Sequence, residues 1–141
     1  MLSMQAVAEA LMNKQATVAS VALTIGTLGE RQTSEYTVIA NYPGVLAVSI
    51  GVADGHDATA APEYVQFFFS PDHPVSLQQI VPHCSHWRKI PGNPKSSPYL
   101  YSCPFTGSTK ELQVTFVATL TGDIASSSSH VSRVILQRAV W

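Results

Sequence analysis

Charge is what this sequence has least of. Lys, Arg, Asp and Glu together make up 12% of the chain, about half the roughly 25% usual in soluble domains. The formal net charge is −1, and no basic arm stands anywhere in it. That argues against a strongly basic nucleic-acid binder, which neutralises phosphates with clustered Lys and Arg. Long apolar runs are missing as well. None approaches the roughly 18 residues that would read as membrane-spanning, and the N-terminus lacks the charged-then-apolar order of a secretion signal. The expectation is a soluble chain, without membrane contact and not secreted by a cleavable signal.

Cysteine is scarce, with only Cys84 and Cys103. A chain of 141 residues is long enough to bury a real core as one domain without staples. Two ordinary, mostly buried thiols are therefore expected ahead of a bridge, although both remain open, and so does the redox compartment. Catalytic signatures are lacking too. There is no Gly-x-Ser-x-Gly elbow, no phosphate-cradling glycine loop and no His-Glu-x-x-His, and the nine carboxylates are scattered. No enzyme and no cofactor are expected. His83, Cys84 and His86 form one metal-like cluster, but structural zinc takes four ligands at recognisable spacings and nothing completes this set. The Asp54-Gly55-His56-Asp57 stretch fits no calcium-loop ligand ladder and reads as a solvated turn.

What is present is hydroxyl and β pattern. Sixteen Ser and eleven Thr outnumber the 17 charged residues. A weakly charged, hydroxylated exterior resists aggregation poorly, so either the chain is a Ser/Thr-rich β protein or much of its exterior is buried against copies of itself. From Leu2 to Met12 the apolar residues Met4, Val7, Ala8 and Leu11 share a helical stripe. A helix this short is marginal alone and must dock, either as a switchable arm between subunits or as a cap on its own domain. Strands are expected at Thr17 to Ile25, Glu35 to Asn41, Val45 to Ala53, Tyr64 to Phe69, His86 to Ile90 around a buried Trp87, Tyr99 to Cys103, Leu112 to Leu120, and Val131 to Trp141. In Val45 to Ala53, Leu46, Val48, Ile50 and Val52 should share one face, with small residues on the other. One helical turn is expected at Ser76 to Val81, between Pro74 and Pro82. Gly26 to Glu30, Tyr42-Pro43-Gly44, Asp54 to Pro62, Ile90 to Pro98 and Ser126 to Ser129 read as turns and loops.

The strand Tyr64-Val65-Gln66-Phe67-Phe68-Phe69 stands out. Successive side chains of a strand point to opposite faces, so three consecutive phenylalanines ask for cover on both sides. That requires a two-layer architecture or a neighbouring subunit. About eight short strands, one long excursion in the middle and a helix in front predict an all-β, single jelly-roll β-sandwich of about eight strands. Residues 1–15 would be an N-terminal arm or helix and residues 16–141 the jelly-roll domain.

Ser70-Pro71 through Pro74-Val75 to Gln79-Ile80, directly after the aromatic strand, resembles the corresponding region of tymovirus coat proteins. So does Ser97-Pro98-Tyr99-Leu100-Tyr101-Ser102-Cys103-Pro104-Phe105, and the pair Lys110 to Leu120 and Val131 to Val140 looks like that family's last two strands. The chain is shorter than those coat proteins, lacking much of their N-terminal arm and the connector after Phe105. The resemblance implies a structural capsid protein that self-assembles into an icosahedral shell around single-stranded RNA, found in the virion and assembled in the host cytoplasm. Its partners would be copies of itself and genomic RNA, bound mostly non-specifically. On that reading Met4, Val7, Leu11, Tyr64, Phe68 and Trp87 are candidates for subunit interfaces, and Lys14 for the neighbourhood of RNA. Two other readings stay open: a lectin- or adhesin-like β-sandwich using the loops Asp54 to Ala61 and Arg88 to Ser97, and a metal enzyme using His83, Cys84 and His86.

Overall fold

The computed structural model describes residues 2–91 and 99–140. The loop expected at Ile90 to Pro98 and the Ser97-Pro98 pair lie largely outside them, as does Trp141. In chain order the elements are α1 (Met4–Leu11), α2 (Val18–Ala22), β1 (Thr27–Gln32), β2 (Glu35–Ile39), β3 (Val45–Gly51), β4 (Tyr64–Phe69), α3 (Leu77–Ile80), β5 (Arg88–Ile90), β6 (Leu100–Pro104), β7 (Leu112–Leu120) and β8 (Val131–Val140). All eight strands join one antiparallel sheet in the order β1-β2-β3-β4-β8-β7-β6-β5. The all-β class and the strand number are as the sequence predicts. The connectivity is a double meander: β1 to β4 zigzag outward in, β5 to β8 do the same from the other edge, and the two halves meet where β4 pairs with β8. The jelly-roll topology is not confirmed.

One face of this sheet holds the core. Val38, Val48, Ile50, Val65, Phe67, Val114, Phe116, Ala118, Val134 and Leu136 point to it, and Met4, Val7, Ala8 and Leu11 of α1 with Val18, Val21 and Ala22 of α2 complete the same buried cluster. The N-terminal segment is thus part of the single core: Met4 is 3% exposed and Val7 and Leu11 are fully buried. Of the two roles open to this helix, the structure shows the cap on its own domain. Ser3 accepts a hydrogen bond from the Ala6 N–H at the helix start. At the other end Arg138 of β8 donates from Nε to the Leu11 carbonyl (2.7 Å), one that the helix end leaves orphaned, and from Nη2 to the Asn13 carbonyl in the following turn (3.0 Å).

Four local expectations are corrected. The segment Thr17 to Ile25 is a helical turn, α2, rather than a strand. Thr17 and Ser20 form a reciprocal capping box, and the Val18 and Ala19 N–H groups are taken up by the carbonyls of Ala60 and Ala58. Its buried residues Val18, Val21, Ala22 and Ile25 recur at three and four, while Leu23, inward in a strand reading, is 81% exposed. The following Gly26 to Glu30, expected as a turn, falls largely within the edge strand β1, Thr27–Gln32. In β3 an irregularity between Val45 and Ala47 against β4 places Leu46 out of register, 67% exposed, off the face it was expected to share with Val48 and Ile50. Finally, Cys84 and Cys103 are not free thiols but a disulfide, with Cα atoms 6.4 Å apart. It ties the chain after α3 to β6.

Candidate functional site

The opposite face of the sheet carries no helix among the described residues, and strand register lays its side chains out in three rows. The middle row runs Thr37, Ser49, Gln66, Ile135, Val117, Ser102, Arg88 from β2 to β5. On one side of it lie Glu35, Gly51, Tyr64, Gln137, Thr115 and Pro104, and on the other Ala47, Phe68, Arg133, Thr119, Leu100 and Ile90. Alternation along β4 shows the difference between faces: Val65, Phe67 and Phe69 are buried, Tyr64, Gln66 and Phe68 only partly so. Among the described residues, the cover on both sides that the phenylalanine run asks for is supplied on one side alone.

Near the β2 end of the face a polar cluster is built from four strand residues. Glu35 Oε2 accepts hydrogen bonds from the Tyr64 hydroxyl, from Gln66 Nε2 (2.7 Å) and from Ser49 Oγ (3.3 Å), and Gln66 also donates to Ser49 (2.9 Å). Three donors on one carboxylate oxygen leave Glu35 committed to its own sheet. Burial foremost, then the bond to Glu35 and the negative charges of Glu35 and Glu63, push the Tyr64 phenol up to about 12. Gly51 explains how the ring lies so flat on the sheet. A Cβ at that position would sit 2.1 Å from the Tyr64 ring, far inside van der Waals contact. The small-residue face expected of β3 therefore does receive a close neighbour, a tyrosine of the adjacent strand.

At the β5 edge the face ends in a cleft of about 520 Å³ lined by His86, Trp87, Arg88, Ser102 and Pro104. Trp87 is half-buried and stands just before β5, not buried within a strand as expected. Its other side lines a second cleft with Leu77, Leu120, Ile124 and the serine-rich tip. The metal-like trio is dispersed: Cys84 is consumed in the disulfide, and among the described residues no group of three His, Cys, Asp or Glu converges. Asp57 in the loop after β3 accepts from the N–H and hydroxyl of Thr59. Those bonds hold its carboxyl below the usual range, as in an Asx turn.

Of the residues singled out from sequence, Tyr64 and Phe68 lie on the open face and Trp87 at its edge. Met4, Val7 and Leu11 lie in the core behind the sheet. Lys14 is exposed on the helix side and pairs with Glu111 across the molecule; that hydrogen bond holds the Glu111 carboxyl low. Sequence reasoning missed Glu35, Gln66, Arg133 and Arg88 as members of one surface. Their period-two spacing within each strand was visible, but the pairing of β4 with β8 was not. Among the described residues no helix is long and apolar enough to cross a membrane. Comparison of the chain with protein-family models, curated proteins and solved structures found no match.

Proposed function

We propose that this protein is a structural coat subunit that assembles with copies of itself into a closed shell around single-stranded RNA. The observation that carries the reading is the half-covered sheet: eight strands wide, with one face and both edge strands left open among the described residues. An edge strand is a template for another chain, and these two edges carry charges of both signs, Glu30 and Arg31 on β1 and Arg88 and Lys89 on β5. Apolar side chains add to this, with Leu23, Ile39, Leu46 and Val140 all more than half exposed. Contacts that are individually modest become stable when symmetry repeats them around a closed shell. The tymovirus likeness contributes nothing further, because the jelly-roll topology it implies is not confirmed.

The test is light scattering coupled to size exclusion, with negative-stain microscopy, on protein expressed with and without RNA. Uniform particles of many subunits are expected. A strict monomer at high concentration over a range of pH and salt would end this reading. The cleft at Trp87 favours a second one, a lectin- or adhesin-like ligand-binding module, since an aromatic wall with Arg88, His86 and Ser102 beside it suits a sugar ring. A monomer that binds glycans on an array, and loses them on Trp87→Ala, would establish that alternative.

A further inference from the structure

The open face has a chemistry distinct from the rest of the surface. Across its three rows the only acid is Glu35, whose contacting oxygen is already taken by Tyr64, Gln66 and Ser49. The only cations are Arg133 and Arg88, and neither pairs with an acid among the described residues. Each has an aromatic neighbour. Arg133 is directly opposite Phe68 in the β4–β8 register, where Cβ atoms of facing residues are about 5 Å apart. Arg88 adjoins Trp87 in the 520 Å³ cleft. Between these two stations lie β8, β7 and β6 with hydroxyls, amides and short apolar side chains, and no negative charge. Phe68 on β4 and Arg88 on β5 are four interstrand spacings apart, about 19 Å.

We infer that this face binds single-stranded RNA, with bases stacking on Phe68 and Trp87 and phosphates held by Arg133 and Arg88; this deepens the coat-subunit reading and rests on it. Every base offers a π-face to an aromatic ring, so stacking tolerates sequence, and a guanidinium beside the ring serves either the phosphate or the base plane. The hydroxyls of Ser102, Thr119 and Thr115 and the amide of Gln137 are suited to ribose and base edges. The span matches the lower end of the roughly 4–16 nucleotides bound by sheet-faced single-strand binders. Charge decides the face: the rows hold arginines without competing acid, whereas Lys14 on the helix side is already engaged by Glu111.

The experiment is fluorescence anisotropy of a labelled 12-nucleotide oligo(U) against the purified protein in whatever assembly state it adopts, over a series of salt concentrations. The double variant Arg88→Gln/Arg133→Gln should bind at least ten-fold more weakly, and its log–log salt slope should fall by about 1.4, two phosphates at roughly 0.7 each. Phe68→Leu/Trp87→Leu should weaken binding comparably while leaving the salt slope intact, a split that misfolding would not produce. Lys14→Gln, on the helix side, should bind as the parent does. Equal loss in that control, no loss in the arginine pair, or no oligo(U) binding by the parent overturns the inference. So does a parent dimer that Phe68→Asp splits into monomers without changing RNA affinity, because a second copy would then occupy the face. Particle formation is scored separately. Particles that form normally while the arginine pair leaves RNA affinity unchanged refute this face alone, and a monomer that binds oligo(U) through it refutes only the shell.

Discussion

At the scale of single residues, the Tyr64 phenol is the clearest reporter. Its pKa of about 12 in the folded chain stands above the ordinary value of 10.0, so the folded state holds the proton more tightly than the unfolded one. The corresponding stability is complete below pH 10 and is lost as pH rises towards 12. Denaturant titrations at pH 8, 10 and 11.5 should show the parent losing stability over that window, and Tyr64→Phe should flatten the loss. The same ring makes Gly51 a sensitive position. Gly51→Ala requires the ring to lift away from Glu35, so the spectrophotometric phenol titration of Tyr64 should move down towards 10. A cost of about 1–3 kcal/mol in stability should accompany it, as for other overpacked sites.

Among the elements, α1 depends on residues far away in sequence. Eight residues are too few to hold a helix alone in water, and its register comes from the buried stripe Met4, Val7, Ala8 and Leu11 together with the Arg138 guanidinium on its last carbonyl and on the following turn. Arg138→Ala should therefore cost about 1.5–3 kcal/mol, the usual range for hydrogen bonds from a charged group. Arg138→Lys should recover only part of that, because an ammonium cannot reproduce the fork. Chemical denaturation checks both. The disulfide works on the other half of the sheet. Closing a loop of sequence separation 19 removes chain entropy from the unfolded state worth about 3 kcal/mol. Cys84→Ser/Cys103→Ser, or the parent under reductant, should show a matching fall in midpoint, with intact mass confirming the bond beforehand.

At the scale of the whole molecule, the described residues form an eight-stranded sheet covered on one side by the N-terminal helices and open on the other. Exposed apolar side chains gather at one end of the β1-β2-β3 meander, where Ile39 pairs with Thr27 and Leu46 stands in the irregular start of β3, with Leu23 at the end of α2 just before β1. Replacing Leu23 and Ile39 by Lys removes no core contact, so the melting temperature of the unassembled chain should change little, within about 0.5 kcal/mol. The fraction of protein in particles should fall sharply in size-exclusion chromatography with light scattering. Unchanged particle yield would show that this corner takes no part in assembly.

The pattern of residues determined much of this by itself. Period-two alternation marked β3 and β7, β-branched residues marked β2, the aromatic run marked β4, Pro74 and Pro82 bracketed α3, and the stripe of Met4, Val7 and Leu11 marked α1, because each of these signals lies within a dozen neighbouring residues. The triple phenylalanine also announced that β4 wants cover on both sides. What only the tertiary structure decided is long-range: that α2 is a helix whose first N–H groups find Ala58 and Ala60, that Cys84 meets Cys103, and that β4 lies against β8. That last pairing brings Phe68 beside Arg133 and joins two meanders into one surface. Strand order is set by how two separate hydrophobic halves share one core, a contest among non-local pairings that no local period encodes.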